Sequence, residues 1–413
     1  MDWELIITAV IFLITYFLLS VRRLPGIRIS MWAATVIGAV LLMIFGIVSV
    51  NDALESQNYD VLILLLGMML VVASLEICGF FDIAANSIIS RSKDGKTLLL
   101  MTMILSAILS ALVLNDAVVL LLTPTVIKCC RKLNTNPLPY ILGIFISANI
   151  GSVATVVGNP QNAYIATEMN IGFLEFSQYL APLAIMCLIV AYFMMTVLFR
   201  KDLQITPGCV EHYAEKDNVR LPLVVAILIL MIVLFSASSF LGISISAIAI
   251  TGGVLSFIIV STKGLDSVKY GLKRIDWGVL VFFIGLFAIM SGVISSGLLD
   301  LIANLFPGLE DGMPSILELT VFSTLVSNLV SNVPSVILIG ELIQPDVALW
   351  LVLAASSTLA GNMTMIGAAA NVIVSEEAEK ESIKIDFWKY LKIGAPISLV
   401  TLMIMYVYLS VVL

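Results

Sequence analysis

Four short stretches hold most of the residues in this chain that could do chemistry: LNDAVVLLLTPTVI (114–127), ANIGSVATVVGNPQN (148–162), SNLVSNVPSVILI (327–339) and TLAGNMTMIGAAANVIV (358–374). Each sets amides, hydroxyls, glycines or prolines into an otherwise apolar run. Gly151, Gly158, Asn159-Pro160, Gly361 and Gly367 are of types that stop and restart a helix. Asn159 before Pro160 reads as an N-cap with a first-turn proline, and Asn332 with Pro334 repeats it. A helix broken in an apolar setting leaves unpaired carbonyls on one side of the break and unpaired amides on the other. The carbonyl ends favour a cation such as sodium, the amide ends an anion. Asn115 and Asn332 carry side-chain amides that suit either. Asp116 is the one acid in these runs. Ionised in apolar surroundings, it should be paired, bind a cation or take up a proton.

Bond-making chemistry has little to stand on. His212 is the only histidine, the five cysteines form no CxxC pair, and there is no GxxxxGK phosphate loop. No nucleophile–base pair is evident, so no catalytic residue is assigned, and an enzyme is not expected.

The elements that must position these segments follow from composition. Hydrophobic residues make up 60% of the 413 residues and charged residues 12%, against about 45–50% and about 25% in soluble domains. That excludes a soluble enzyme, a disordered chain and a nucleic-acid binder, and implies an all-α polytopic membrane protein. Apolar runs place spans near 3–20, 31–50, 60–77, 137–164, 179–199, 221–239, 243–261, 277–294, 347–374 and 393–413. The stretches 97–127 and 315–343 are too long for one crossing and too short for two, which need about 40 residues. Each is therefore read as a re-entrant hairpin. The first span follows an acidic start with no cleavage pattern and reads as a span rather than a removable signal.

Charge tests that choice. With ten spans and two hairpins, all 21 Lys and Arg fall on one side, in loops near 22–28, 91–96, 128–132, 200–220, 263–274 and 380–392. The other side carries acids, among them Asp2, Glu4, Asp52, Glu55, Glu168, Glu175, Glu310, Asp311 and Asp346. The positive-inside rule makes the basic side cytoplasmic. Both termini then face outward, in a cell (inner or plasma) membrane.

The chain also repeats itself. At an offset of 218, Gly67, Gly79, Asp82, Ala85 and Asn86 recur as Gly285, Gly297, Asp300, Ala303 and Asn304. At 217, Ser106, Ser110, Asn115 and Val119 recur as Ser323, Ser327, Asn332 and Val336. At 209, Thr155, Gly158 and Asn162 recur as Thr364, Gly367 and Asn371. Residues 1–199 and 221–413 are thus read as two repeats of five spans and one hairpin, joined by a cytoplasmic linker, 200–220. Five spans are odd in number, so the second copy is inverted, an arrangement typical of secondary transporters with midplane sites.

Blander roles compete with binding. Asn115, Asp116 and Asn332 can cap hairpin helices. Ser106, Ser110, Ser323 and Ser327 suit close helix packing, and Asp82 and Asp300 read as interfacial caps. Glu76 has no acidic repeat partner (Ile294) and stays a second candidate for proton handling.

At the four segments the sequence resembles the ion transporter superfamily, most closely its arsenite permease branch. The resemblance lies in Asn115-Asp116 leading to Thr123-Pro124, in Gly-Asn-Pro-Gln-Asn at 158–162 and in Gly-Asn-Met-Thr-Met-Ile-Gly at 361–367, and it covers essentially the whole chain. It implies elevator-like transport by a hairpin-bearing core moving against a scaffold. The divalent-anion symporters of the same superfamily carry Ser-Asn-Thr at each hairpin tip. Here those positions read Leu114-Asn115-Asp116 and Ser331-Asn332-Val333, which trades hydroxyls for an acid and argues against a dicarboxylate.

The expectation is a secondary permease for an inorganic anion or oxyacid such as arsenite or antimonite, coupled to protons or sodium. Asn115, Asp116, Ser152, Thr155, Gly158, Asn159, Asn162, Ser331, Asn332, Asn362, Thr364, Gly367 and Asn371 are its expected site residues, with sodium near Asn115, Asp116 and Asn332. A sodium/proton antiporter and a sodium-coupled dicarboxylate symporter are the alternatives. Another class is a membrane scaffold or the channel subunit of an ATP-driven pump. Expected partners are the bilayer, a small inorganic or organic anion, a second copy of the chain and, for the pump, a cytoplasmic ATPase subunit. No cofactor is expected beyond sodium or a proton as coupling ion.

Overall fold

Among the described residues the first half of the chain winds into ten helices: α1 (Trp3–Ser20), α2 (Met31–Ile44), α3 (Val50–Glu55), α4 (Tyr59–Ile77), α5 (Phe80–Arg91), α6 (Gly95–Leu112), α7 (Asn115–Lys132), α8 (Leu138–Ser152), α9 (Pro160–Glu168) and α10 (Phe173–Leu198). The second half supplies α11 (Leu221–Leu241), α12 (Ile245–Ser261), α13 (Leu265–Arg274), α14 (Trp277–Ser295), α15 (Leu298–Leu305), α16 (Ile316–Val330), α17 (Asn332–Gly340), α18 (Val347–Ala360), α19 (Ala369–Lys380) and α20 (Phe387–Val412). One small antiparallel pair, Arg23–Leu24 with Ile27–Arg28, follows α1. This computed structural model describes residues 3–20, 23–24, 27–28, 30–204, 219–262, 264–305, 312–365 and 367–413. Most of the expected linker, with Cys209, His212 and Lys216, lies outside the described residues, as do Asp2, Arg22, Lys263, Glu310 and Asp311.

The two sets of ten follow one another element for element. α4 and α14 are each 19 residues long, and each ends at a glycine in the left-handed region, Gly79 (φ 76°) and Gly297 (φ 74°). Helices from opposite halves pack reciprocally: α4 against α12 and α2 against α14, then α7 against α19 and α9 against α17.

Among the described residues six helices are long and apolar enough to cross a membrane. Their outer faces leave Phe193, Phe240 and Val411 exposed, as lipid-facing positions require. The stretch 315–343 holds α16 and α17, joined at Ser331. α17 has nine residues, about 13.5 Å long, and cannot cross about 30 Å of hydrocarbon. Hairpin one is longer than expected, because Lys128, Arg131 and Lys132 continue α7. Cations at a helix C-terminus are favourable, so the end of the apolar run did not end the helix.

Other boundaries moved for local reasons. The span expected over 31–50 stops at Ile44, where Gly46 turns left-handed and a Ser49–Asp52 capping box starts α3. α10 and α20 begin earlier than expected, each keeping a proline, Pro182 and Pro396, inside the helix. The short helices α5, α13 and α15 were not anticipated. Asp82 and Asp300 sit in the first turns of α5 and α15.

Polar contacts sort the loops onto two faces. On one, Asn136 bonds Asp202, Arg131 pairs with Glu381, and Tyr192 donates to the Lys96 carbonyl. On the other, Asn58 donates to Thr167 and Glu168, and Ser246 donates to Asp60. Asp94 caps α6 by accepting from the Thr97 amide at 2.7 Å, and this bond holds its carboxyl below the usual aspartate range. A carboxylate whose folded pKa is lowered contributes stability above its unfolded pKa and loses it as pH falls through the folded value. Asp94→Ala should therefore cost about 1 kcal/mol at pH 7, read as a lower melting temperature in detergent. That deficit should shrink as pH falls below the usual aspartate range and the Asp94 carboxylate takes up its proton.

Candidate functional site

Both hairpin tips and both helix breaks meet in one buried cluster. Between α8 and α9 the chain is unwound over 153–159, and between α18 and α19 over the described residues 361–365 and 367–368. Asn162 closes the first break: its Nδ2 donates to the carbonyls of Ser152 (2.9 Å) and Thr155 (3.0 Å). Asn371 closes the second in the same way, donating to Gly361 (2.6 Å) and Thr364 (2.8 Å). The offset of 209 seen in the sequence is therefore repeated in the side-chain bonds. Asn159 caps α9 by accepting from the Asn162 amide at 2.8 Å, as the Asn-Pro pair implied.

Hairpin one docks on the first break through the Asn115 amide, which donates to the Gly158 carbonyl at 2.9 Å. Gly151 allows that approach, since a Cβ there would lie 2.2 Å from the Ala107 carbonyl oxygen of α6. Gly151 is the last residue but one of α8, so the helix stops beside it. Hairpin two turns at Ser331, whose φ of 85° is costly for a residue with a Cβ and typical of functional positions. Asn332 was expected to cap α17. Instead its amide faces the carbonyls of Ser357 and Gly367, and with the amide oriented to satisfy them Nδ2 donates to both (3.0 and 2.6 Å), which ties the tip to the second break.

The two halves join through asparagines. Asn115 Nδ2 donates to Asn149 Oδ1 at 3.3 Å, and Asn149 Nδ2 donates to Asn362 Oδ1 (2.9 Å) and Asn371 Oδ1 (3.0 Å). Thr155 donates to the Ala111 carbonyl, and Thr364 to Asn328 Oδ1. Most of the expected site residues therefore hold the breaks and tips in shape, and their amides are already engaged. Asp116, Asn328 and Thr364 are only part-buried, and Thr364 stands between Met363 and Met365 in the second break. Asn162 Oδ1 and the hydroxyls of Ser110 and Ser327 are buried without a protein partner. Ser110 and Ser327 are equivalent positions, and unpartnered buried oxygens suit a bound cation or water. Ser106 and Ser323 are satisfied by the Ile144 carbonyl and by Ser356.

Sequence reasoning missed Asn149, Asn328 and Thr358, although all three lie in the quoted segments. Motif offsets favour identical pairs, and Asn149 pairs with Thr358 and Asn328 with Ala111. Glu76, left open for proton handling, forms an ion pair with Arg274 at 2.8 Å and accepts from the Tyr270 hydroxyl at 3.0 Å, which anchors α13 on α4. Beside hairpin two a cavity of about 440 Å³ is lined by Asp52, Glu55, Glu341 and Ile337. Burial and Glu168 raise the Glu341 carboxyl above its usual range.

Apolar helices around paired hairpins and broken helices define a membrane transporter. Its fold matches the crystal structure of the Alcanivorax borkumensis YdaH transporter, described as having an unusual topology, with a TM-score of 0.58, 14% identity and coverage of 99% and 98% of the two chains. The chain belongs to the citrate transporter (CitMHS) family, whose profile matches residues 9–345. Its relatives include the 46 kDa membrane protein of Mycobacterium leprae (strain TN), 28% identical over 96% of this chain and 97% of that one. The silicon efflux transporter LSI3 of Oryza sativa subsp. japonica is 27% identical over 96% of both.

Proposed function

We propose that the chain is a secondary permease for a small, largely undissociated oxyacid, of the kind formed by silicon or trivalent arsenic, coupled to protons or sodium. The observation that carries this reading is the charge of the site. Its walls are amides and hydroxyls with one carboxylate, Asp116, and no Lys, Arg or His is buried among the described residues. A di- or trianion such as citrate would bring its negative charge close to the Asp116 carboxylate, which repels it. A polyhydroxylated neutral solute exchanges hydrogen bonds with amides at no such cost. The acid-lined cavity beside hairpin two selects in the same direction, and the name of the rice relative agrees with it. The unpartnered oxygens of Ser110, Ser327 and Asn162 offer places for a sodium ion at the tips.

Proteoliposomes with an imposed proton or sodium gradient should accumulate arsenite or silicic acid and not citrate. Gradient-driven citrate uptake without either oxyacid would overturn the reading. In purified protein a true solute also raises the melting temperature.

The two halves act in this reading as inverted copies, with the basic face cytoplasmic and both termini outside. Single cysteines at Asn134 and Asn170, on opposite faces, should then label differently in intact cells. Only the Asn170 position should react with an impermeant maleimide, and equal labelling of both would refute the arrangement.

A further inference from the structure

Asn149 and Thr358 stand at equivalent places, 209 residues apart, each near the end of the helix that precedes a break. Each reaches across to the other half's break. Asn149, on α8, donates to Asn362 within the second break and to Asn371 just after it. Thr358, on α18, accepts from Asn159 Nδ2 (3.4 Å) and Gln161 Nε2 (3.2 Å), at the end of the first break and the start of α9. All six side chains are buried. The crossing is reciprocal in position but not in chemistry. An asparagine supplies two donors on one side, and on the other a hydroxyl, which donates to its own Ala354 carbonyl, receives two longer bonds. That difference also accounts for the unpartnered Asn162 Oδ1: its equivalent, Asn371 Oδ1, is filled by Asn149, whereas the Thr358 proton is already committed.

We infer that Asn149 and Thr358 are positioning residues that clamp each break from the opposite half, so that the two breaks and the hairpin tips resting on them hold their shape as one body. Hairpin one belongs to the same chain of bonds through Asn115. Given the transport reading, on which this consequence rests, the two half-sites cannot rearrange independently. A change at one hairpin is passed to the other through two side chains that contact neither solute nor lipid. The clamp on the second break is the stronger, because it consists of shorter bonds donated by a side chain with no competing acceptor.

The test is hydrogen exchange on the purified full chain in detergent, without solute. Asn149→Ala should speed exchange of backbone amides in 361–371 about tenfold relative to the change in 153–162. Thr358→Val should show the reverse pattern, more weakly. If Asn149→Ala does not fold, Asn149→Thr replaces the two amide donors at nearly constant volume by one hydroxyl, whose proton goes to the carbonyl four residues back as in Thr358, and should give the same crossed pattern more weakly. Acceleration confined to the mutated half, equal acceleration of both breaks, or none would overturn the inference, since loss of packing alone loosens the mutated helix first. No solute is present, so a negative result leaves the transport reading standing, and a failure to transport oxyacids leaves this clamp untouched.

Discussion

Asp116→Asn is expected to lower gradient-driven uptake in proteoliposomes by about a hundredfold or more, which corresponds to about 2.7 kcal/mol, while the protein folds normally. The carboxyl sits in the first turn of α7 at the tip of hairpin one, part-buried, next to Asn115, whose Oδ1 accepts from the Asp116 amide at 2.9 Å. Asparagine keeps its shape and its place in the helix but cannot take up or release a proton or offer a charged oxygen to a cation. Asparagine is isosteric with aspartate and keeps a polar group at the tip, so the melting temperature should stay near that of the unmodified protein. The diagnostic comparison is between net uptake and exchange. If Asp116 handles the coupling ion, oxyacid exchange across the membrane at equal concentrations should persist in the variant while gradient-driven accumulation is lost. Unchanged accumulation would remove Asp116 from the mechanism, and loss of both activities would make it a solute ligand instead.

The features legible in the sequence were those set by strong local chemistry. Asn159-Pro160 marks a helix start because a capping side chain and a residue lacking an amide proton leave few other conformations. Nine residues of α17 between polar ends cannot span a bilayer, and apolar length alone conveys that. The equivalence of Asn162 and Asn371 was visible as an offset, and the structure gives it meaning in four matching bonds to carbonyls. What stayed hidden depended on contacts between distant segments. Nothing local distinguishes Asn332 as a tie to Ser357 and Gly367 from Asn332 as a cap, because both uses demand a short amide at a helix start. Asn149 was hidden for the same reason: its three partners come from hairpin one and from the far half of the chain. The α7 end was missed because a charged last turn looks like a loop in hydropathy, although the helix dipole welcomes it.

Gly67 should tolerate no side chain at all. It lies in α4, where a Cβ would fall 2.4 Å from the Ala249 carbonyl carbon and 2.5 Å from the Ile250 nitrogen on α12. A Cβ on Gly253 would meet the Gly67 carbonyl oxygen at 2.3 Å. The two helices thus touch backbone to backbone, the arrangement by which small residues drive helix association in lipid, where no hydrophobic force separates helix from solvent. α4 belongs to the first half and α12 to the second, so this contact helps to hold the halves together. Gly285, at the equivalent place in α14, meets the Thr35 backbone of α2 in the same manner. Gly67→Ala should cost about 3 kcal/mol or more, at or above the usual range for overpacking, because the obstruction is main chain and cannot change rotamer. For the same reason Ala249→Gly should not rescue it, whereas truncating a neighbour does relieve an ordinary side-chain clash. The measurement is the melting temperature and detergent-extracted yield of the single and double variants. Wild-type stability in Gly67→Ala, or recovery in the double variant, would show that α4 and α12 pack through side chains at a greater separation.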